Sequence, residues 1–282
     1  MSTISAKSVK SLRDRTGAGM MDCKKALQEV GGDEERAIDL LRKWGAARAA
    51  KRSERTTSEG LVHVEELDGA YAMVAVSSET DFVARNDEFH DFARRLARQV
   101  LTAGDLPDGE TIDGAALLEH PGLEALGTEV TDLRARIGEN ITVEQAVRLQ
   151  PAEASSTAAY VHFGGKIGVL VELAGGSGHD DAARDVAMHV AATDPIGVSA
   201  DDIPSEARER ERRLLVEQAE EEGKPESIVE KIVEGRMRKF YEQNALLLQP
   251  FVKDQDTTIQ ALLNGVAGGL TVRRFVRFQI GD

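Results

Sequence analysis

Cysteine is almost absent: Cys23 is the only one in 282 residues. That excludes a disulfide within the chain and a cysteine-based zinc site. Aromatic residues make up only 4%, so the core must be mostly aliphatic. No apolar run approaches the roughly 20 residues that cross a bilayer. The opening Met1-Ser2-Thr3-Ile4-Ser5 has no stretch of signal-peptide type. A cytoplasmic setting, bacterial or organellar, is the simplest expectation. Motifs for covalent chemistry are missing too. There is no Gly-x-x-x-x-Gly-Lys-Ser/Thr loop, and Gly17-Ala18-Gly19 lacks the third glycine and the βαβ context of a dinucleotide site. No His-Glu-x-x-His spacing suits a metal. The six histidines are scattered, and none stands beside a nucleophile in a recognisable elbow. Neither an enzyme nor a protein with its own cofactor or metal is expected.

What is present begins with charge. The net charge is −14, but it is unevenly spread. Residues 1–55 carry 13 Lys/Arg against 8 Asp/Glu, while the remainder carries 22 against 41. A basic head therefore precedes an acidic body. The body repels phosphate, so nucleic-acid binding is not expected of it. The head alone suits an acidic protein surface or RNA.

Residues 5–50 read as three helices. Ala6, Val9 and Leu12 recur at helical spacing, and Met20, Cys23, Leu27 and Val30 resume it after Thr16-Gly17-Ala18-Gly19. Gly31-Gly32 stops the second helix and Asp33 suits the cap of the third, which carries Ala37, Leu40, Leu41 and Trp44. Residues 51–58 are polar and read as a linker. Leu61–Leu67 and Tyr71–Val76 read as strands joined by the hairpin signal Asp68-Gly69. Asn86 then suits the cap of a helix carrying Phe89, Phe92, Ala93, Leu96 and Val100.

A second unit of the same kind follows, with strands Ala158–Phe163 and Lys166–Leu173 about Gly164-Gly165, and a helix through Ala183, Val186, Ala187 and Val190. The copies differ after the hairpin. The first carries Ser78-Glu79-Thr80-Asp81-Phe82-Val83-Ala84-Arg85-Asn86, and the second has Ala174-Gly175-Gly176-Ser177-Gly178. Residues 205–222 and 226–248 read as two charged helices folded back at Gly223-Lys224-Pro225, an arm of low apolar content expected to project from the body. A final strand places Arg274, Val276, Phe278 and Ile280 on one face.

Two long segments resemble the elongation factor Ts family. Val9-Lys10-Ser11-Leu12-Arg13-Asp14-Arg15-Thr16-Gly17-Ala18-Gly19-Met20-Met21-Asp22-Cys23-Lys24-Lys25-Ala26-Leu27 resembles its N-terminal signature. Glu79-Thr80-Asp81-Phe82-Val83-Ala84-Arg85-Asn86 resembles its Thr-Asp-Phe-Val loop. Weaker matches continue at Arg136–Asn140, Lys166–Leu170, Ala187–Ala192 and Gln249–Phe251. The resemblance implies an α+β fold with three parts. These are a ubiquitin-associated-like three-helix domain over 1–55, a subdomain over 56–148 carrying the loop, and a second α+β subdomain over 149–282. Both subdomains would have antiparallel sheets, and a coiled-coil hairpin, 205–248, would be inserted in the last. It implies guanine-nucleotide exchange on elongation factor Tu, GDP-bound or nucleotide-free, with no direct nucleotide binding and no membrane. Thr80, Asp81, Phe82 and Val83 would act beside the partner's nucleotide site, where Asp81 and Phe82 disturb its magnesium. Arg13, Met20, Met21 and Lys24 would touch the partner from the N-terminal domain, and His162 and His189 from the core.

This chain departs from the family at Ser77-Ser78-Glu79, where Asn-Cys often precedes the loop. It also ends at Gly281-Asp282, where some members carry a further helical module. Each residue also has a plainer reading. Phe82 alone would be a core aromatic at a strand end, Asp81 a capping residue, and Arg13 and Lys24 solvated charges. Met20 suits the helix core and Met21 the surface, Cys23 suits packing, and His162 and His189 suit satisfied structural histidines. The alternative function is a binding module, a basic head on an acidic scaffold docking a ribosomal or RNA partner. Such a scaffold has no need of the Thr80-Asp81-Phe82 loop.

Overall fold

The computed structural model describes residues 4–223 and 225–281, so the expectations at residues 1–3, Lys224 and Asp282 lie outside the described residues. The N-terminal segment forms three helices, α1 (Ala6–Thr16), α2 (Met20–Glu29) and α3 (Glu34–Arg52). Ser5 accepts a hydrogen bond from the Ser8 amide at 3.0 Å, and Asp33 from the Arg36 amide at 3.0 Å. Each cap satisfies a first-turn donor that the helix itself leaves open. Val9, Leu12, Cys23, Leu27, Ala37 and Leu41 make a small core between the three. Met20, expected inside, is exposed instead, because Cys23, Ala26 and Leu27 take the buried face of α2. The third helix also runs through Lys51 and Arg52, into the expected linker. Ala49 is buried there and Arg52 donates to the Arg134 carbonyl at 3.3 Å, which holds the last turn.

The chain divides into two compact units. One holds the described residues up to Leu149, with Phe163–Lys166 and 279–281; the other holds Gln150–His162 and Ile167–Phe278. In the first, β1 (Glu59–Leu67) and β2 (Ala70–Ser78) form an antiparallel hairpin. Its turn has φ of 51° at Asp68 and 80° at Gly69, matching the twist of the strands. Then come α4 (Asp81–Ala84), α5 (Asp87–Thr102), β3 (Thr111–Asp113), α6 (Gly114–Leu118), α7 (Leu126–Ile137) and β4 (Ile141–Leu149). The sheet order is β1-β2-β4-β3, antiparallel throughout. The Phe89, Phe92, Leu96 and Val100 face of α5 packs with Ala72, Val74 and Val76 of β2 and with Leu126 and Leu133 of α7 in one core.

The second unit contains β5 (Ser155–Val161), β6 (Ile167–Ala174), α8 (Asp180–Thr193), α9 (Ser205–Glu221), α10 (Glu226–Asn244), β7 (Pro250–Phe251), β8 (Asp254–Thr258), α11 (Ile259–Val266) and β9 (Thr271–Gln279). An antiparallel hairpin followed by a helix recurs, as β1-β2-α5 and β5-β6-α8. The parallel extends to a third strand: β4 lies beside β2, and β9 beside β6. Arg274 sits on the otherwise apolar face of β9 because its Nε donates to the fully buried Glu172 at 2.7 Å. Helices α9 and α10 pack through Leu215, Ala219, Val229, Val233 and Met237. Ser205 and Arg212 of the first line a groove together with Glu234 and Tyr241 of the second. The second ends at Asn244 rather than 248, since Ala245 and Leu246 are buried and Leu246 joins the core of its unit.

Candidate functional site

The segment after β2 is where the two hairpin-and-helix copies differ, and there the chain makes the four-residue helix α4. Thr80 caps it, its hydroxyl accepting from the Val83 amide at 3.4 Å. The same hydroxyl donates to Glu139 Oε1 at 2.8 Å, and the Thr80 amide donates to Glu139 Oε2 at 3.0 Å. Ser78 Oγ donates to the Thr80 carbonyl at 3.1 Å. One carboxylate thus holds two donors of one residue, and charge-assisted bonds of this kind are the stronger sort.

The bracing residues come from the turn between α7 and β4. Gly138 ends α7 with φ of 90°, a conformation that favours glycine, and its amide donates to the Arg134 carbonyl. The chain then turns so that Glu139 meets Thr80, while the Asn140 amide donates to Glu79 Oε1 at 2.6 Å. Asn140 Nδ2 donates to the Arg55 carbonyl at 2.7 Å, and Arg55 pairs with Glu79 at 3.2 Å. The expected linker is therefore tied into the same cluster.

On this support Val83 is buried in the core and Phe82 faces solvent, 82% exposed. The reading of Phe82 as a core aromatic is overturned. Val83 fills the apolar position of the short helix, and Phe82 takes the outward one. Asp81, half exposed, pairs with Arg85 across one helical turn at 3.2 Å. The structure thus brings Thr80, Asp81, Phe82 and Val83 into one element but gives them different tasks. Val83 is an anchor rather than a surface group.

Arg13, Met20, Met21 and Lys24 are all exposed. Met20 and Lys24 lie one turn apart on α2. Asp22 is ion-paired with Arg48 at 2.7 Å, which holds its carboxyl below the usual range. Cys23 is fully buried, and burial pushes its thiol up, away from the reactive thiolate.

The two histidines part company. His162 is exposed, with Nδ1 3.0 Å from the Tyr160 hydroxyl. His189 is fully buried, its Nε2 2.9 Å from Gln249 Oε1 and its Nδ1 accepting from the Val252 amide at 3.2 Å. Those partners require a neutral ring protonated on Nε2. Burial lowers its pKa, opposed by the bond to Gln249. His189 is therefore a satisfied core residue, not a surface contact. Among the described residues no group of three or more His, Cys, Asp or Glu side chains is arranged to hold a metal, and no helix is long and apolar enough to cross a membrane.

Fold and site together define an α+β protein that presents a solvent-facing aromatic on a short, carboxylate-braced helix. A family model described as elongation factor TS matches residues 79–282. An elongation factor Ts from Alkalilimnicola ehrlichii is 47% identical over 281 residues, covering 99% of this chain and 92% of the relative. The chain belongs to the elongation factor Ts family. Sequence reasoning found the loop but missed its support. Arg136–Asn140 stood out only as a weak family match, and nothing local in it points to Thr80.

Proposed function

We propose that this protein is a guanine-nucleotide exchange factor for elongation factor Tu in translation elongation. The observation that carries this reading is the exposure of Phe82 on a helix fixed by Glu139, in a chain of this family. An apolar ring held in water at such exposure gains by entering a partner's crevice. On this reading Phe82 wedges into the GTP-binding domain beside the nucleotide, and Asp81 competes for donors near the partner's magnesium. That ion bridges phosphate oxygens and contributes strongly to nucleotide affinity. A factor that binds the nucleotide-free state better weakens nucleotide binding by the same factor. No bond is made or broken, so this chain needs no catalytic group.

The N-terminal helices, a ubiquitin-associated-like domain over 1–55, supply a second grip. Arg13, Met20, Met21 and Lys24 are exposed on them, as such a contact requires. On this reading the body consists of subdomains over 56–148 and 149–282, with the helical arm 205–248 as an insertion in the second. His162 is a further contact from the second subdomain, whereas His189, bonded to Gln249 and Val252 in the interior, touches no partner.

The test is release of fluorescent GDP from the cognate elongation factor Tu, followed by stopped flow with and without this protein. Acceleration of release is expected, together with no GTP turnover by this protein alone. No acceleration by a folded sample would overturn the reading and favour a docking scaffold.

A further inference from the structure

We infer that Glu139 is a positioning residue for exchange, acting on Phe82 through the cap of its helix. This rests on the function proposed above. Helix α4 has only four residues, too few to be stable by its own hydrogen bonds. Its geometry must be imposed from outside. Two attachments supply it: Val83, buried in the core, and Thr80, whose amide and hydroxyl are held by one carboxylate while Ser78 holds its carbonyl. Removing that carboxylate leaves the Thr80 amide without its partner and frees the hydroxyl to rotate away from the Val83 amide. Phe82 lies between the two attachments, so its direction depends on both.

Glu139 is suited to this task by its own mounting. It follows Gly138, whose left-handed backbone ends α7, and precedes Asn140, which is buried and bonded to Glu79 and the Arg55 carbonyl. The backbone on either side of the carboxylate is therefore held in place. On this inference Glu139 aids insertion of Phe82 by acting through Thr80 rather than by touching the partner.

The test uses Glu139→Ala and Glu139→Gln in the full chain, each alone and combined with Phe82→Ala. Rates of GDP release are measured across factor concentration. Glu139→Ala is expected to lower the maximal rate about tenfold, the scale of a lost charged hydrogen bond. The concentration giving half the maximal rate should stay within about twofold, because the N-terminal grip is untouched. Glu139→Gln keeps one carbonyl acceptor and should recover part of the loss. In the Phe82→Ala background the Glu139 substitution should have no further effect, since its action runs through that ring. A wild-type maximal rate in Glu139→Ala, or an equal loss in both backgrounds, would overturn the inference. If the alanine variant does not fold, the glutamine variant carries the same cycle.

Hydrogen exchange of the Val83 amide provides a readout independent of the partner. It should quicken about tenfold in Glu139→Ala, and unchanged exchange contradicts the brace. Wild type that fails to accelerate GDP release overturns the exchange reading itself, a result distinct from either outcome for Glu139.

Discussion

Asn140 donates its side-chain amide to the Arg55 carbonyl at 2.7 Å, joining the segment before β1 to the turn that braces the Thr80 helix. The residue is buried, and its backbone amide also serves Glu79. Asn140→Ala removes this bond, and since Arg55 lies at the surface where water can replace the donor, the expected cost is about 0.5–1.5 kcal/mol. Urea unfolding measures this. The midpoint should fall with little change in slope, as befits a local loss.

Phe82→Ala should behave in the opposite way. The ring is 82% exposed, so little packing is lost on truncation. The thermal midpoint should stay where it is, corresponding to a change within about 0.5 kcal/mol. Calorimetry of the two proteins checks it, and a large fall would mean that the ring packs inward in solution.

Glu172 is fully buried beside Arg274 and Arg273, at 2.7 and 3.4 Å, and also accepts from the Ala152 amide at 2.9 Å. Arg274→Met removes the better-placed cation from a carboxylate that cannot reach water. The expected cost is about 2–3 kcal/mol in denaturant unfolding. Replacing the exposed Arg85 with Met, which breaks a surface pair, should cost under about 1 kcal/mol.

His189 gives a pH dependence of known sign. Its pKa is lowered in the folded protein by burial, so at mildly acidic pH the unfolded chain binds the extra proton more readily. The stabilising contribution is complete above about pH 6.5, the ordinary imidazole value. It declines as pH falls below that value toward the folded-state pKa. Denaturant unfolding from pH 7.5 to 5 should show this decline, and His189→Gln should flatten it.

Much of this architecture was legible in the sequence. The helices of 5–50 declare themselves through Val9, Leu12, Cys23 and Leu27, and both hairpins through glycine-bearing turns. The face of α5 is unmistakable from Phe89 to Val100. The stretch from 103 to 149 was not legible. Strand β3 has three residues and α6 five, too few for a period to emerge. Strand β4 pairs with β2 across a register shift at Ala75 and Val76, which no local pattern announces. The site was half legible. Thr80-Asp81-Phe82 was visible as a motif, but the outward direction of Phe82 depends on Glu139, 59 residues from Thr80. His189 illustrates the same limit. Its sequence context does not reveal that Gln249, 60 residues on, takes up its ring nitrogen inside the core.

The most direct test of the central claim compares wild type and Phe82→Ala in GDP release from the cognate elongation factor Tu, at saturating concentration of each. The account predicts strong acceleration by wild type and loss of most of it in the variant, with the fold intact. Full acceleration by Phe82→Ala would contradict the wedge and move the action to Asp81 or the N-terminal helices.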